Sequence, residues 1–151
     1  LETVQDLEYK KTDEYALAKA RQEDILYQSG FSNYTIVRPS VTYNTYRLQL
    51  GALEKENWLY RALKGRCIVF SNDIADKYTA MTHGDDVAKA ICAVIGKREC
   101  LKQSYNIVTD NSLKWQDILT IYLCAIEEFT GKCPKVVMSD ETIKLKDKKF
   151  K

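Results

Sequence analysis

Strands alternating with helices predict an α/β layered fold for this chain. Three observations point there. Amphipathic helical patterns recur between short apolar runs; glycines at 30, 65, 96 and 131 stop the helical patterns; and the runs at 34–37, 67–70, 104–108 and 136–138 have the length and residue types of strands.

The elements follow in order. Residues 13–28 carry Ala16, Leu17, Ala20, Ile25 and Leu26 among charged residues, as an amphipathic helix requires. The strand 34–37 should end at Pro39, which cannot donate to a sheet ladder. Residues 40–50 are rich in Thr, Tyr and Asn and read as a loop. A second helix is expected over 52–64, with Leu53, Trp58, Leu59 and Leu63 inward. After the strand 67–70 come a turn at 71–73 and an extended stretch at 78–82. Asp85 or Asp86 is then the expected N-cap of a helix over 87–95. Residues 109–112 offer N-caps for a fourth helix over 113–129, and 136–138 form a last strand. No internal repeat and no low-complexity linker interrupts the pattern.

Composition narrows the class. The chain has 151 residues, 45% hydrophobic and 29% charged, as expected of a soluble globular protein. A net charge of +2 argues against a dedicated nucleic-acid surface, and the basic cluster at 144–151 reads as a solvated tail. Five cysteines lack a CxxC pair and there is one histidine, so no metal site is expected. Cys92 and Cys124 sit in apolar helical patterns and read as small core residues in a reducing compartment. No apolar run approaches the roughly 20 residues of a membrane span, and no signal peptide opens the chain. A cytoplasmic protein without membrane contact is expected. Its start at Leu1 suggests a piece of a longer protein.

The chemistry-bearing stretch is Tyr15-Ala-Leu-Ala-Lys19, followed by Tyr34-Thr-Ile-Val-Arg38-Pro39 and Tyr43-Asn44. Side chains four apart share a helix face, so an ammonium can sit beside a phenol. A phenol acting as acid/base near neutral pH needs its pKa of ~10 lowered by about three units, on the order of 4 kcal/mol. A nearby cation acts in that direction. The spacing alone is common, and Tyr60 and Lys64 repeat it as a surface pair.

Order along the chain separates the two pairs. Residues 13–131 resemble the C-terminal part of an extended short-chain dehydrogenase/reductase, in the NAD-dependent epimerase/dehydratase family that modifies nucleotide sugars. The matching segments are Tyr15-Ala-Leu-Ala-Lys19, Ile36-Val37-Arg38-Pro39 with Tyr43, Ala62-Leu63-Lys64-Gly65 before Ile68-Val69-Phe70, His83 to Ala90, and Tyr105-Asn106-Ile107-Val108 before Ser112-Leu113-Lys114-Trp115. The resemblance implies late elements of a Rossmann domain plus a small α/β substrate lobe. Residues 1–48 would carry the Tyr/Lys helix and a late strand, 49–143 the substrate lobe with one strand returning to the sheet, and 144–151 the tail.

It further implies that Tyr15 is the catalytic acid/base. Lys19 would lower the phenol's pKa and hold the nicotinamide ribose, while Pro39, Ser40 and Val41 wall the nicotinamide end. Tyr43, Asn44 and Lys77 are the expected substrate contacts, and His83 is structural. The implied cofactor is NAD or NADP, the substrate a nucleotide sugar, and the assembly a homodimer.

The chain also departs from the family. Its six glycines form no Gly-rich turn for a pyrophosphate. The acidic residue that reads the adenosine ribose and the early parallel strands are missing. The Ser/Thr that relatives carry about 25 positions before the tyrosine would precede Leu1, with Thr3 at the shorter spacing of other branches. Val41 stands where many relatives place Asn, and Thr79 where they often place Arg, with Lys77 as a nearby substitute. The expectation is a fragment of an NAD(P)-dependent oxidoreductase, inactive alone. The alternative is a non-catalytic dimerisation module on an inherited fold.

Overall fold

A computed structural model describes residues 15–140. The chain divides into two compact units, 1–38 with 90–106, and 39–89 with 107–151.

The first unit holds helix α1 (Tyr15–Gln28) and strand β1 (Ile36–Pro39), whose last residue belongs to the second unit. Strand β1 pairs with β6 (Ser104–Ile107). The Ile36 N–H donates to the Gln103 carbonyl and the Ser40 N–H to the Ile107 carbonyl, both at 2.9 Å. The ladder therefore passes Pro39, whose missing N–H is not needed at that rung, and the strand lies two residues later than the expected 34–37. A 3-10 turn (Arg98–Cys100) precedes β6, and the Cys100 carbonyl accepts the Thr35 hydroxyl at 2.7 Å. Among the described residues of this unit the buried apolar ones are Leu17, Ile36 and Cys100. Of the face expected to point inward on α1, Leu17 alone is buried; Ile25 is 66% exposed.

Among its described residues the second unit contains three strand pairs. Strand β2 (Val41–Tyr43) runs parallel to β5 (Met81–His83), with Tyr43 opposite His83. β3 (Ile68–Ser71) runs parallel to β8 (Val136–Ser139), and β4 (Tyr78–Thr79) runs antiparallel to β7 (Leu113–Lys114). Helices α2 (Lys55–Leu63), α3 (Asn72–Ala75) and α5 (Trp115–Thr130) complete it. Its core joins Leu50, Trp58, Ile68, Phe70, Trp115 and Ile118. The Trp58 indole stacks on Tyr122 at 4.7 Å and donates its N–H to the Leu48 carbonyl at 3.0 Å, so the ring is buried without an orphaned donor. Gly51 sits at φ +58, and a β-carbon there would strike the Ile74 side chain. Gly131, also left-handed, closes α5 through an N–H bond to the Glu127 carbonyl at 2.8 Å.

Helix α4 (Gly84–Val94) has residues in both units and begins three residues earlier than expected. Asp85 and Asp86 therefore lie in its first turn instead of capping it. His83 takes that role: its Nδ1 accepts the Asp85 N–H at 3.3 Å. The residues at 109–112 are likewise not the cap of α5. Its start is fixed at Lys114, whose N–H donates to the Asp117 carboxylate at 3.2 Å. Residues 40–50, expected as loop, contain β2, and the expected turn at 71–73 opens the short α3. On α2 the buried residues are Trp58 and Ala62, while Leu63 faces solvent. Cys92 and Cys124 are exposed, contrary to expectation. Their helices turn other residues inward, and the buried cysteine is Cys100. Thr3 and the basic run 144–151 lie outside the described residues.

Candidate functional site

Tyr15 and Lys19 stand on the first turns of α1 in the first unit. The Lys19 ammonium lies over the Tyr15 ring, 5.6 Å from its centroid, and also donates to Gln22 Oε1 at 3.2 Å. Tyr15 is 79% exposed, so its hydroxyl is open to a ligand. Tyr60 and Lys64 in the second unit repeat the geometry at 5.9 Å. A cation over a ring is therefore what this helical spacing produces, and position in the fold must distinguish the two pairs.

What sets α1 apart is the group that holds it. Arg38, on β1, donates from Nε to Glu23 Oε1 at 2.8 Å, and its second nitrogen reaches Glu23 Oε2. Two parallel bonds from a planar guanidinium fix orientation as well as distance. The Arg38 guanidinium holds the Glu23 carboxyl below the usual carboxylate range, and Glu23 in turn raises Arg38. Glu23 lies one helical turn after Lys19, so this clamp fixes the helix that presents the pair. Sequence reasoning used Arg38 as a strand-end marker and missed the clamp. The available signal was an arginine ending an apolar strand, which needs an acid close by.

The remaining candidates belong mostly to the second unit. The Ser40 hydroxyl is 2.8 Å from the Thr82 hydroxyl, which also accepts the Thr109 N–H at 3.1 Å. This part-buried chain ties the residue before β2 to β5 and spends part of Ser40's capacity. Val41 is a strand residue opposite Met81, and Pro39 ends β1 exposed. Tyr43 meets the His83 ring edge-on at 5.2 Å. Asn44 Oδ1 accepts the N–H groups of Tyr46 and Arg47 at 2.8 and 2.9 Å, so its oxygen builds a turn and its amide nitrogen is the group left for a ligand. Lys77 is exposed two residues beyond the end of α3.

Tyr43 and Thr79 line a pocket of ≈ 180 Å³ within the second unit, with Met81, Leu113 and Tyr122; Lys77 does not line it. Burial pushes the Tyr122 phenol up to about 12, with a smaller contribution from Tyr43. The Tyr122 hydroxyl donates to the Gln49 carbonyl at 3.3 Å. Among the described residues no group of His, Cys, Asp and Glu could hold a metal, and no helix is long and apolar enough to cross a membrane.

Fold and site together define a mixed α/β chain with parallel strand pairs and an exposed Tyr/Lys helix. No protein-family model and no curated protein matches it by sequence. Solved structures do match its fold. The UDP-glucuronic acid 4-epimerase of Bacillus cereus, solved with UDP-glucuronic acid and NAD, matches with a TM-score of 0.59 at 17% identity, over 82% of this chain and 38% of its own. An epimerase of Methanothermobacter thermautotrophicus gives 0.62 at 15%, over 85% and 37%. The UDP-glucose 4-epimerase of Thermotoga maritima, solved with UDP-glucose, gives 0.58 at 19%, over 83% and 39%. The chain thus spans well under half the length of these structures and has the fold of the C-terminal portion of Rossmann-like epimerases.

Proposed function

We propose that this chain is the Tyr/Lys helix and substrate lobe of an NAD(P)-dependent epimerase/dehydratase of the extended short-chain dehydrogenase/reductase family. The supporting observation is an open phenol beside an ammonium, on a helix clamped by Arg38 and Glu23, within a fold shared with nucleotide-sugar epimerases. Residues 1–48 then serve the nucleotide-binding domain and 49–143 the substrate.

In this reading the Tyr15 hydroxyl takes or returns the proton of a sugar hydroxyl or keto oxygen. Lys19 favours the phenolate by its charge and offers an N–H donor to ribose hydroxyls. The nicotinamide supplies hydride transfer when bound. Pro39, Ser40 and Val41 suit its apolar edge, and Tyr43, Asn44 and Lys77 meet the sugar. The pyrophosphate finds no cradle among the described residues. Gly84 does open a helix, but Asp85 and Asp86 in its first turn repel an anion. The chain alone should therefore show no NAD(H) binding by titration calorimetry, and a micromolar dissociation constant would contradict that.

In the longest polypeptide read in frame with this chain, Tyr15→Phe should lower NAD-linked turnover of a UDP-sugar by about 10²-fold or more, without loss of assembly. Unchanged turnover refutes the assignment. One observation favours a second reading, a homodimerisation module without chemistry: Ile25 on α1 and Phe31 just beyond its end are 66% and 67% exposed. Sedimentation reads that directly, since a catalytic fragment need not self-associate.

A further inference from the structure

The pocket of the second unit has a composition at odds with a charged ligand. Among the described residues its lining is Tyr43, Leu48, Met81, Leu113, Ile118, Ile121 and Tyr122, with Thr79 and Asn111 as its uncharged polar members. No Lys or Arg lines it. A diphosphate seated there would lose water with no cation in return. By contrast, a volume of about 150 Å³ is enough to hold a benzene ring; this pocket, open to solvent on one side, measures ≈ 180 Å³.

Its walls are preformed. Thr79 and Leu113 face each other on the β4–β7 ladder. Ile118, Ile121 and Tyr122 lie at i, i+3 and i+4 on α5, which places them on one face. Tyr122 is pinned by its stack on Trp58 and its bond to the Gln49 carbonyl. Met81 sits in register with Val41 on β5. A ligand entering such a site orders few side chains, so most of the apolar area it buries counts toward affinity.

We infer that this pocket binds an uncharged, ring-sized apolar group of a small molecule, oriented by hydrogen bonds to Asn111 and Thr79, and that it excludes phosphate-bearing groups. The inference concerns the second unit alone and does not rest on the oxidoreductase reading. NAD-linked turnover and pocket occupancy are separate readouts, so either can fail without the other.

The test uses the 151-residue chain with indole as neutral probe and UDP as charged probe, each titrated by saturation-transfer NMR. Indole should bind saturably in the millimolar range or tighter, and UDP at least about tenfold more weakly. Ile121→Trp fills the pocket from a position 56% exposed, and should weaken indole by about tenfold with unchanged circular dichroism. Leu113→Trp, from the facing strand, is the second blocking variant should the first disturb the fold. UDP binding as tight as indole, indole binding that ignores both variants, or no indole binding at all overturns the inference. So does indole binding that fades as protein concentration rises, because the occupant is then a second copy of the chain.

Discussion

The two units of this molecule bury their apolar residues to different degrees. The second gathers Leu50, Trp58, Ile68, Phe70 and Trp115 into one cluster, four of them covered to 1% exposure or less. The first buries Leu17, Ile36 and Cys100, and turns Ile25, Tyr27, Phe31 and Ile95 outward. Apolar burial contributes roughly 25 cal/mol per Å², so stability must be unevenly divided. The first unit is held more by directed bonds: Arg38 to Glu23, Thr35 to Cys100, and Tyr27 to Ser104 at 3.0 Å. Candidate catalysis sits on the loosely packed unit and the preformed pocket on the well-packed one.

The largest expected effect tests the core side. Trp58→Ala removes a buried ring, its stack on Tyr122 and its bond to Leu48, and should cost about 3–5 kcal/mol in denaturant unfolding. Leu17→Ala in the first unit, in a sparser setting, should cost about half as much or less. Equal losses would erase the distinction between the units.

That distinction was only half legible in the sequence. Helices α1, α2 and α5 lie close to their expected places, and on α5 the apolar period survives over four turns. Burial was not. Ile25 and Leu26 have the right spacing to face a core, yet whether a core meets them depends on the rest of the fold. Strand β2 was invisible because three residues, Val41-Thr-Tyr, are too few to show a period. The caps were misplaced because Asp85 and Asp86 are strong local candidates, while the acceptor chosen was a ring nitrogen one position before the helix. Of the candidate site, the Tyr15/Lys19 spacing was readable; the clamp from Arg38 was not, since it joins residues 15 apart in sequence.

Cutting the clamp is the next largest effect and should be confined to the first unit. Glu23→Gln loses the charge but keeps a hydrogen-bonding oxygen, and should cost about 1–2 kcal/mol. Hydrogen exchange should quicken along α1 and leave β3 and β8 as protected as before. The pH dependence has a definite sign. Glu23 titrates lower in the folded chain than in the unfolded one, because Arg38 favours its ionised form. Its contribution is therefore complete above the ordinary glutamate pKa of about 4.3 and is lost as pH falls through the lower folded value. Protection of α1 should fade over that acid range in the native chain and not in Glu23→Gln.

The second unit has its own titration at the opposite end of the scale. Tyr122 is held neutral by burial, with its pKa pushed up to about 12 against about 10 when unfolded. A raised value in a neutral acid means stability is intact below about pH 10 and declines as pH climbs toward 12. Alkaline unfolding of the second unit should begin in that window, and Tyr122→Phe should shift its onset upward. An unchanged alkaline onset would place the sensitive group elsewhere. At neutral pH the same variant loses one bond to Gln49, worth about 1 kcal/mol.

The smallest expected change in stability is also the one that best separates the two readings of α1. Ile25 and Phe31 are two-thirds exposed, so Ile25→Lys and Phe31→Lys should each move the unfolding free energy by less than about 0.5 kcal/mol. If α1 presents only chemistry, sedimentation of both variants will match the parent chain. If this face is a homodimer contact, a lysine on each copy places like charges in an apolar interface, and dimerisation should weaken by about tenfold or more with folding untouched. A large loss of stability in the monomer would contradict both readings, because it would mean that these residues are buried in solution.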